Sequence, residues 1–205
     1  MGITIKNLTL LGKNDFTKIV GDVLRSLKVT VAAQEAATNF DSMEIFNEVL
    51  GRKVITRLKV TADGVQGCLR KFSVARTDER LGAEINRLVK KNLYLLLVEN
   101  FGLDAVPYGI LHGVRPTKII QRWIDDGFGV TSHGVIDRDK ISRRIRTDFL
   151  AERDKAELLT EVAVRQLPII RASDAKTVSV YVGIPFCRTR CLYCSFPSNV
   201  CEELI

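Results

Sequence analysis

Hydrophobic and polar residues in the first third of the chain repeat with two different periods. Residues 3–10 alternate as in a strand, and residues 52–74 alternate on both sides of Asp63-Gly64, a pair that tolerates the positive φ angles of a hairpin turn. Between these segments, residues 15–27 have helical spacing, with apolar side chains on one face: Phe16, Ile19, Val20, Val23, Leu24 and Leu27. The pattern predicts a strand, a helix and a β-hairpin.

Helical spacing predicts three further helices. The first is a core helix that ends at Gly102, and the second begins at Pro116 and ends near Gly127, because proline suits a first helical turn. The third covers residues 152–167 and is expected to stop at Pro168. The apolar faces of the first and third helices consist of Ile85, Leu88, Val89, Leu93, Leu96 and Leu97, and of Leu158, Leu159, Val162, Ala163 and Leu167.

The last part of the chain differs from what precedes it. Residues 171–176 are polar and are predicted to form a linker, and the β-branched run at 177–186 is predicted to be a strand. Residues 198–205 are expected to begin another helix. The sequence therefore predicts an α+β module over residues 1–172, followed by the start of a second domain over residues 173–205.

Composition changes this picture little. The chain has 205 residues, of which 46% are hydrophobic and 27% charged, as in a globular protein. No run approaches the roughly 18 apolar residues of a membrane span, and the N-terminus lacks the features of a secretory signal. The sequence predicts a cytoplasmic protein without a membrane partner.

The net charge of +7 raises the question of an acidic partner. The densest basic segment, residues 138–153, has six basic and three acidic residues. No aromatic side chains alternate with these arginines, as stacking on single-stranded nucleic acid requires. The pattern therefore favours a solvated helix face over a nucleic-acid site.

Three cysteines carry the most specific chemistry of the sequence. Cys187, Cys191 and Cys194 have a C-x3-C-x2-C spacing, and soft thiolates select zinc, copper(I) or iron–sulfur clusters. A structural zinc site needs four ligands, and His112 and His133 are distant in sequence. Three cysteines suit an iron–sulfur cubane with one open iron. The remaining cysteines, Cys68 and Cys201, are predicted to be isolated thiols.

The segment YVGIPFCRTRCLYCSF, residues 181–196, resembles the first strand and cluster loop of radical S-adenosylmethionine enzymes. Within that superfamily it resembles the oxygen-independent coproporphyrinogen III oxidase branch, whose signature is Tyr-x-His-Ile-Pro-Phe-Cys-x3-Cys-x2-Cys. The resemblance implies that Cys187, Cys191 and Cys194 hold a 4Fe-4S cluster whose open iron binds S-adenosylmethionine. It also implies that Tyr193 lies against the cofactor's adenine and Tyr181 near the cluster end of the first strand of a (β/α) barrel.

Two departures refine the resemblance. Gly183 stands where the well-characterised oxidases have histidine, and Phe196 stands where they have a fourth cysteine. The Cys-Ser-Phe end of the segment is similar instead to the corresponding residues of haem chaperones and of coproporphyrinogen dehydrogenases of the HemZ type. The segment PYGILHGVRPTKII, residues 107–120, resembles the long N-terminal extension of the HemZ type and favours that group. The resemblance implies oxidative decarboxylation of two propionates of coproporphyrinogen III to vinyl groups in haem biosynthesis, with an electron donor as partner.

Arg115 and Lys118 are two basic residues within that segment. Charge-assisted bonds from such side chains suit the carboxylates of a tetrapyrrole. Their position at the start of a predicted helix favours a structural role instead. His112 and His133 have no acid or cysteine nearby in sequence, and no role is predicted for either.

The chain length predicts an incomplete barrel. A (β/α)8 barrel has about 250 residues, whereas Cys187 is followed by 18 positions of this 205-residue chain. We therefore expect an N-terminal fragment of such an enzyme, with a truncated barrel and no catalysis by itself. A haem-chaperone-like binding protein is one alternative, although such proteins begin almost at once with their barrel. The other is a truncated module that binds a partner or RNA through Arg143, Arg144 and Arg146.

Overall fold

The chain divides into two compact units, Met1–Leu167 and Pro168–Ile205. A computed structural model describes residues 2–12, 14–32, 39–76, 80–113, 115–174, 176–178 and 180–196, and the backbone of 199–200. Among these residues, no helix combines the length and the apolar character that crossing a bilayer requires.

The first unit begins with a mixed five-stranded sheet. Its strands lie in the order β2-β1-β3-β4-β5. β1 runs parallel to both of its neighbours, and β3, β4 and β5 form an antiparallel meander. The elements of this part are β1 (Ile3–Leu11), α1 (Thr17–Ser26), β2 (Val29–Val31), β3 (Phe40–Leu50), β4 (Lys53–Ala62) and β5 (Val65–Val74).

The predicted strand, helix and hairpin are confirmed as β1, α1 and β4–β5. Asp63 and Gly64 have φ angles of 50° and 76°, so this pair makes the tight turn that its sequence predicts. Val54 and Leu58 of β4 are fully buried, whereas Arg57 between them is exposed. Alternation of apolar and polar side chains therefore sets which face of the hairpin meets the core.

Neither β2 nor β3 is among the predicted elements, although β3 is the central strand. Met43 and Ile45 of β3 are fully buried. The next inward position is Asn47, which is also buried and accepts a hydrogen bond of 2.8 Å from the Thr56 hydroxyl of β4. A polar residue at a core position interrupts the apolar alternation, and this pair satisfies it.

Four helices follow the sheet: α2 (Leu81–Phe101), α3 (Thr117–Asp125), α4 (Arg138–Phe149) and α5 (Arg153–Ala172). α2 packs against β4, β5 and α1 and is the predicted core helix. It ends at Gly102, whose φ of 60° is the left-handed conformation that favours glycine. α3 begins directly after Pro116, as predicted.

The helices α3, α4 and α5 enclose a second apolar cluster, centred on Ile120, Ile141 and Ile145. The prediction for α5 needs two corrections. Leu158 and Val162 are exposed, because the buried face of α5 lies along Ala156, Leu159, Thr160, Ala163 and Leu167. The helix also continues through Pro168 to Ala172, since a proline removes one backbone hydrogen bond without forcing the helix to end. Residues 171 and 172 are thus helical and not part of a linker.

The described residues of the second unit have little regular structure beyond the end of α5. Two short parallel strands, β6 (Phe186–Cys187) and β7 (Asn199–Val200), pair with each other. The strand predicted over 177–186 is observed only at Phe186, because a parallel strand needs hydrogen-bonded neighbours and none of the described strands lies beside residues 180–185. The helix expected at 198–205 falls mostly outside the described residues, and Asn199–Val200 are extended.

Candidate functional site

The cysteine loop, residues 187–194, consists of a strand end followed by a turn. Cys187 closes β6, and the backbone N–H of Cys194 donates to the carbonyl of Cys191 at 3.0 Å. This bond from residue i+3 to residue i makes the C-x2-C half of the motif a β-turn. The turn fixes the separation of Cys191 and Cys194 along the backbone.

The three thiols of the loop are free and accessible. Cys187 and Cys191 are exposed, Cys194 is half-buried, and none forms a disulfide. Within the part of the chain that the structure describes, no three side chains of histidine, cysteine, aspartate or glutamate converge as a metal site. The ligand assignment of the three cysteines therefore stays a prediction.

The chemistry of the donor set fits the predicted cluster. Residues 180–196 contain three cysteines and no histidine, aspartate or glutamate. All-thiolate donors suit iron–sulfur clusters, and a closed tetrahedral zinc site needs a fourth ligand that this segment lacks. Arg188 and Arg190, which are exposed within the loop, add positive charge beside the thiols.

Of the two predicted cofactor-binding tyrosines, Tyr181 precedes the loop in sequence and Tyr193 lies within it, and both are exposed. Tyr193 is at the tip of the Cys191–Cys194 turn, next to the fully exposed Leu192. The ring of Tyr181 lies over Gly183, where an added Cβ would approach Tyr181 Cε1 to 3.0 Å. Glycine at position 183 thus leaves space for this ring.

The basic segment of α4 is largely engaged within the protein. The Arg144 guanidinium stacks on the rings of Trp123 and Phe128, 4.2 Å from each centroid, and its Nε lies 3.4 Å from Asp148 Oδ2. Arg143 and Arg146 are exposed. One of the three arginines proposed for RNA binding is therefore a packing residue.

The segment 107–112 joins the two apolar clusters of the first unit. The N–H of Ile110 donates to the carbonyl of Phe149 at 2.8 Å. Gly109 has a φ of 55°, and an added Cβ there would lie 2.1 Å from the same carbonyl oxygen. Glycine is required at this position because both the conformation and the close approach exclude a side chain.

Arg115 and Lys118 lie at the start of α3, as the sequence predicts. Both side chains are exposed, and the N–H of Lys118 donates to the carbonyl of Arg115 at 3.2 Å in the first turn. Pro116 precedes the first helical residue. These observations agree with a helix start. Cys68 is exposed on β5 and forms no disulfide, and Cys201 lies outside the described residues.

His112, for which the sequence predicts no role, has unusual surroundings. Both imidazole nitrogens are shielded from solvent and have no hydrogen-bond partner within the described part of the chain. Burial lowers the pKa of His112 below its usual range, and the nearby Lys90 ammonium lowers it further. Sequence spacing gives no signal for this site, because its charged neighbours come from α1 and α2.

The geometry can be compared with known proteins. No family model matches the chain. The chain is similar to the oxygen-independent coproporphyrinogen-III oxidase-like protein HemZ of Bacillus subtilis (strain 168), with 30% identity over 131 residues. The match covers 62% of this chain and 24% of that relative, so it spans about a quarter of the relative's length, in its N-terminal part. This similarity confirms the resemblance to HemZ-type proteins on which the sequence analysis relies.

Proposed function

We propose that this chain supplies the N-terminal module and the cluster loop of a HemZ-type, oxygen-independent coproporphyrinogen-III oxidase-like protein. The observation that carries the proposal is the three-thiol loop, in a chain that is 30% identical to such a relative over 131 residues. The substrate class follows from the resemblance: a tetrapyrrole whose propionates are oxidatively decarboxylated, with an external electron donor.

In this proposal the cysteine loop holds a 4Fe-4S cluster through Cys187, Cys191 and Cys194. When bound with S-adenosylmethionine, that group supplies one-electron radical chemistry. Cysteine thiols bind iron as thiolates, after losing their protons.

Tyr181 and Tyr193 are proposed to line the cofactor side of the loop. An exposed ring at the tip of a turn offers a flat apolar face on which an adenine can stack. Tyr193 is well placed for this role by its position between Leu192 and Cys194.

The chain alone is not proposed to complete the reaction. The match with the relative covers 24% of the relative's length, so most of the relative has no counterpart in the alignment. We expect the 205-residue chain to take up a cluster without decarboxylating coproporphyrinogen III. The α+β module up to residue 172 is proposed to precede the radical domain as a separate folding unit.

Anaerobic reconstitution with ferrous iron and sulfide tests the proposal. We expect about four irons and four sulfides per chain, the stoichiometry of a 4Fe-4S cluster. Cys191→Ala is expected to abolish this uptake, whereas Cys68→Ala, which removes an exposed cysteine of the hairpin, is expected to retain it. Tight binding of one zinc ion with no uptake of iron and sulfide would show that the cluster assignment is wrong.

A further inference from the structure

A cavity of about 350 Å³ lies in the first unit between α1, α2, the segment 110–112 and α3. Its apolar wall includes Ile19, Leu111 and Phe149. Its polar wall includes Lys18, Asp22, Arg87, Lys90 and His112. Cavities of this size hold small molecules, and a wall that combines an apolar part with converging polar groups is typical of ligand sites.

The imidazole of His112 is the first reason to expect a ligand. Among the residues that the structure describes, neither of its nitrogens has a hydrogen-bond partner, and neither is accessible to solvent. Buried polar atoms in folded proteins are nearly always satisfied, and an exception points to a missing partner. A neutral imidazole has one N–H donor and one acceptor, so it can donate to an anion beside it.

The charge balance of the wall is the second reason. Lys18 is exposed and has no ion-pair partner in the described part of the chain. Lys90 Nζ lies 3.9 Å from Asp22 Oδ2, and Asp22 is shared with Arg25 at 2.6 Å. One carboxylate is thus paired with two cations, so the charge at the mouth of the cavity is positive.

We propose that this cavity binds a small organic carboxylate. The apolar body of the ligand packs against Ile19, Leu111 and Phe149, and its carboxylate lies between Lys18 and Lys90, beside the His112 ring, which turns to bring an N–H to the carboxylate. An inorganic oxyanion leaves the apolar wall in contact with water, and a purely apolar ligand leaves the lysines and the imidazole unpaired. Only a ligand with both parts satisfies both walls.

The ionisation of His112 agrees with this arrangement. Burial, and then the charge of Lys90, lower its pKa, so the ring is neutral at pH 7. A carboxylate bound beside the ring adds a negative charge and therefore raises that pKa. The proposal does not depend on the cysteine loop, so its test leaves the cluster proposal untouched.

Titration of histidine resonances by NMR tests the proposal directly, because the chain has two histidines. His112→Gln assigns the signals, and the exposed His133 is an internal reference. The probe is 3-phenylpropionate, with 3-phenylpropionamide as its neutral isostere and inorganic phosphate as an anion without an apolar part. We expect 3-phenylpropionate to shift the His112 signals and raise its pKa, and the other two compounds to bind at least tenfold more weakly.

Lysine variants locate the site. Lys90→Gln removes a half-buried charge and is expected to weaken 3-phenylpropionate roughly tenfold, as for hydrogen bonds to charged groups. Lys18→Gln removes an exposed charge and is expected to weaken it roughly two- to fivefold. Lys6→Gln, an exposed lysine outside the cavity, is the matched control and should change nothing.

Three results would overturn the proposal. The first is that the probe leaves His112 unshifted at concentrations up to tens of millimolar. The second is that the amide or phosphate binds as well as the carboxylate. The third is that both lysine variants bind the probe like Lys6→Gln while keeping the far-UV circular dichroism of the unsubstituted chain.

Discussion

The carboxylate of Asp148 is the electrostatic centre of the first unit, and its removal is our principal stability prediction. Its side chain is 4% exposed at the end of α4. Arg76 Nη2 approaches Asp148 Oδ1 to 2.7 Å, Arg144 Nε approaches Oδ2 to 3.4 Å, and Arg87 Nη1 lies 3.8 Å from Oδ1. The three arginines come from the end of the hairpin, from α4 itself and from α2. One carboxylate thus ties the sheet to both helices.

The structure gives the expected size of the loss in Asp148→Ala. Removing one partner of a buried ion pair costs about 3–5 kcal/mol, because the remaining charge stays desolvated. Arg76 is 59% exposed and can regain water, whereas Arg87 is 14% exposed and keeps Glu84 at 3.1 Å. We therefore expect the lower end of that range, about 3 kcal/mol, which corresponds to a fall in Tm of roughly 6–12 °C for a chain of this size.

Equilibrium unfolding in urea, followed by circular dichroism at 222 nm, measures this difference. Glu157→Ala is the matched control, since Glu157 is 53% exposed and pairs with Arg153 at 2.8 Å on the surface of α5. Its loss is expected to be below about 0.5 kcal/mol. Arg76→Ala should fall between the two variants. If Asp148→Ala is destabilised no more than Glu157→Ala, the carboxylate does not have the role given to it here.

Other predictions follow from single contacts in the same unit. Gly109→Ala should lower the free energy of unfolding by more than about 2 kcal/mol in the same urea assay, because its φ is 55° and the new Cβ would meet the Phe149 carbonyl at 2.1 Å. Gly82→Ala, in α2 where an added Cβ would meet open space, should instead raise the free energy of unfolding by about 0.5–1 kcal/mol. Equal effects of the two substitutions would contradict the packing argument. The lowered pKa of His112 means that the unfolded chain binds its proton more readily, so stability should fall as the pH drops below 6.5. Urea unfolding between about pH 7 and 5 measures this dependence. The free energy of unfolding should fall less steeply with decreasing pH in His112→Gln, where the nearby charges of Lys90, Asp22 and Arg25 remain. An unchanged slope of the free energy against pH would exclude a contribution from His112.

Local signals explain which elements could be predicted from the sequence. The hairpin depends on Asp63-Gly64 and on the alternation of apolar and polar residues, both of which are local signals. Gly102 ends α2 for an equally local reason, its left-handed backbone. The central strand β3 could not be predicted in this way, because Asn47 faces the core and accepts a hydrogen bond from Thr56 of another strand. Its burial depends on a partner that spacing does not reveal.

The two candidate sites also differ in whether the local sequence reveals them. The cysteine loop is visible in the sequence because its donors lie within eight residues, and a turn from Cys191 to Cys194 needs no distant contact. The cavity beside His112 requires α1, α2 and α3 to come together, so none of its charges is near His112 in sequence. At Pro168 a local signal is instead misleading: proline predicts the end of a helix, but α5 continues through it.

Two parts of the resemblance to HemZ-type proteins have separate physical origins. The segment 107–112 lies where the two apolar clusters of the first unit meet: Ile110 belongs to the cluster under the sheet, Leu111 packs against the cluster of α3 to α5, and Phe149 packs against both. Backbone packing explains the glycine at position 109 without a ligand. The cysteine loop is exposed and forms no disulfide, so packing does not explain its three cysteines, and their role as cluster ligands is the proposal made above. A variant such as Gly109→Ala should therefore weaken the fold of the first unit while leaving the thiols of the second able to take up iron and sulfide.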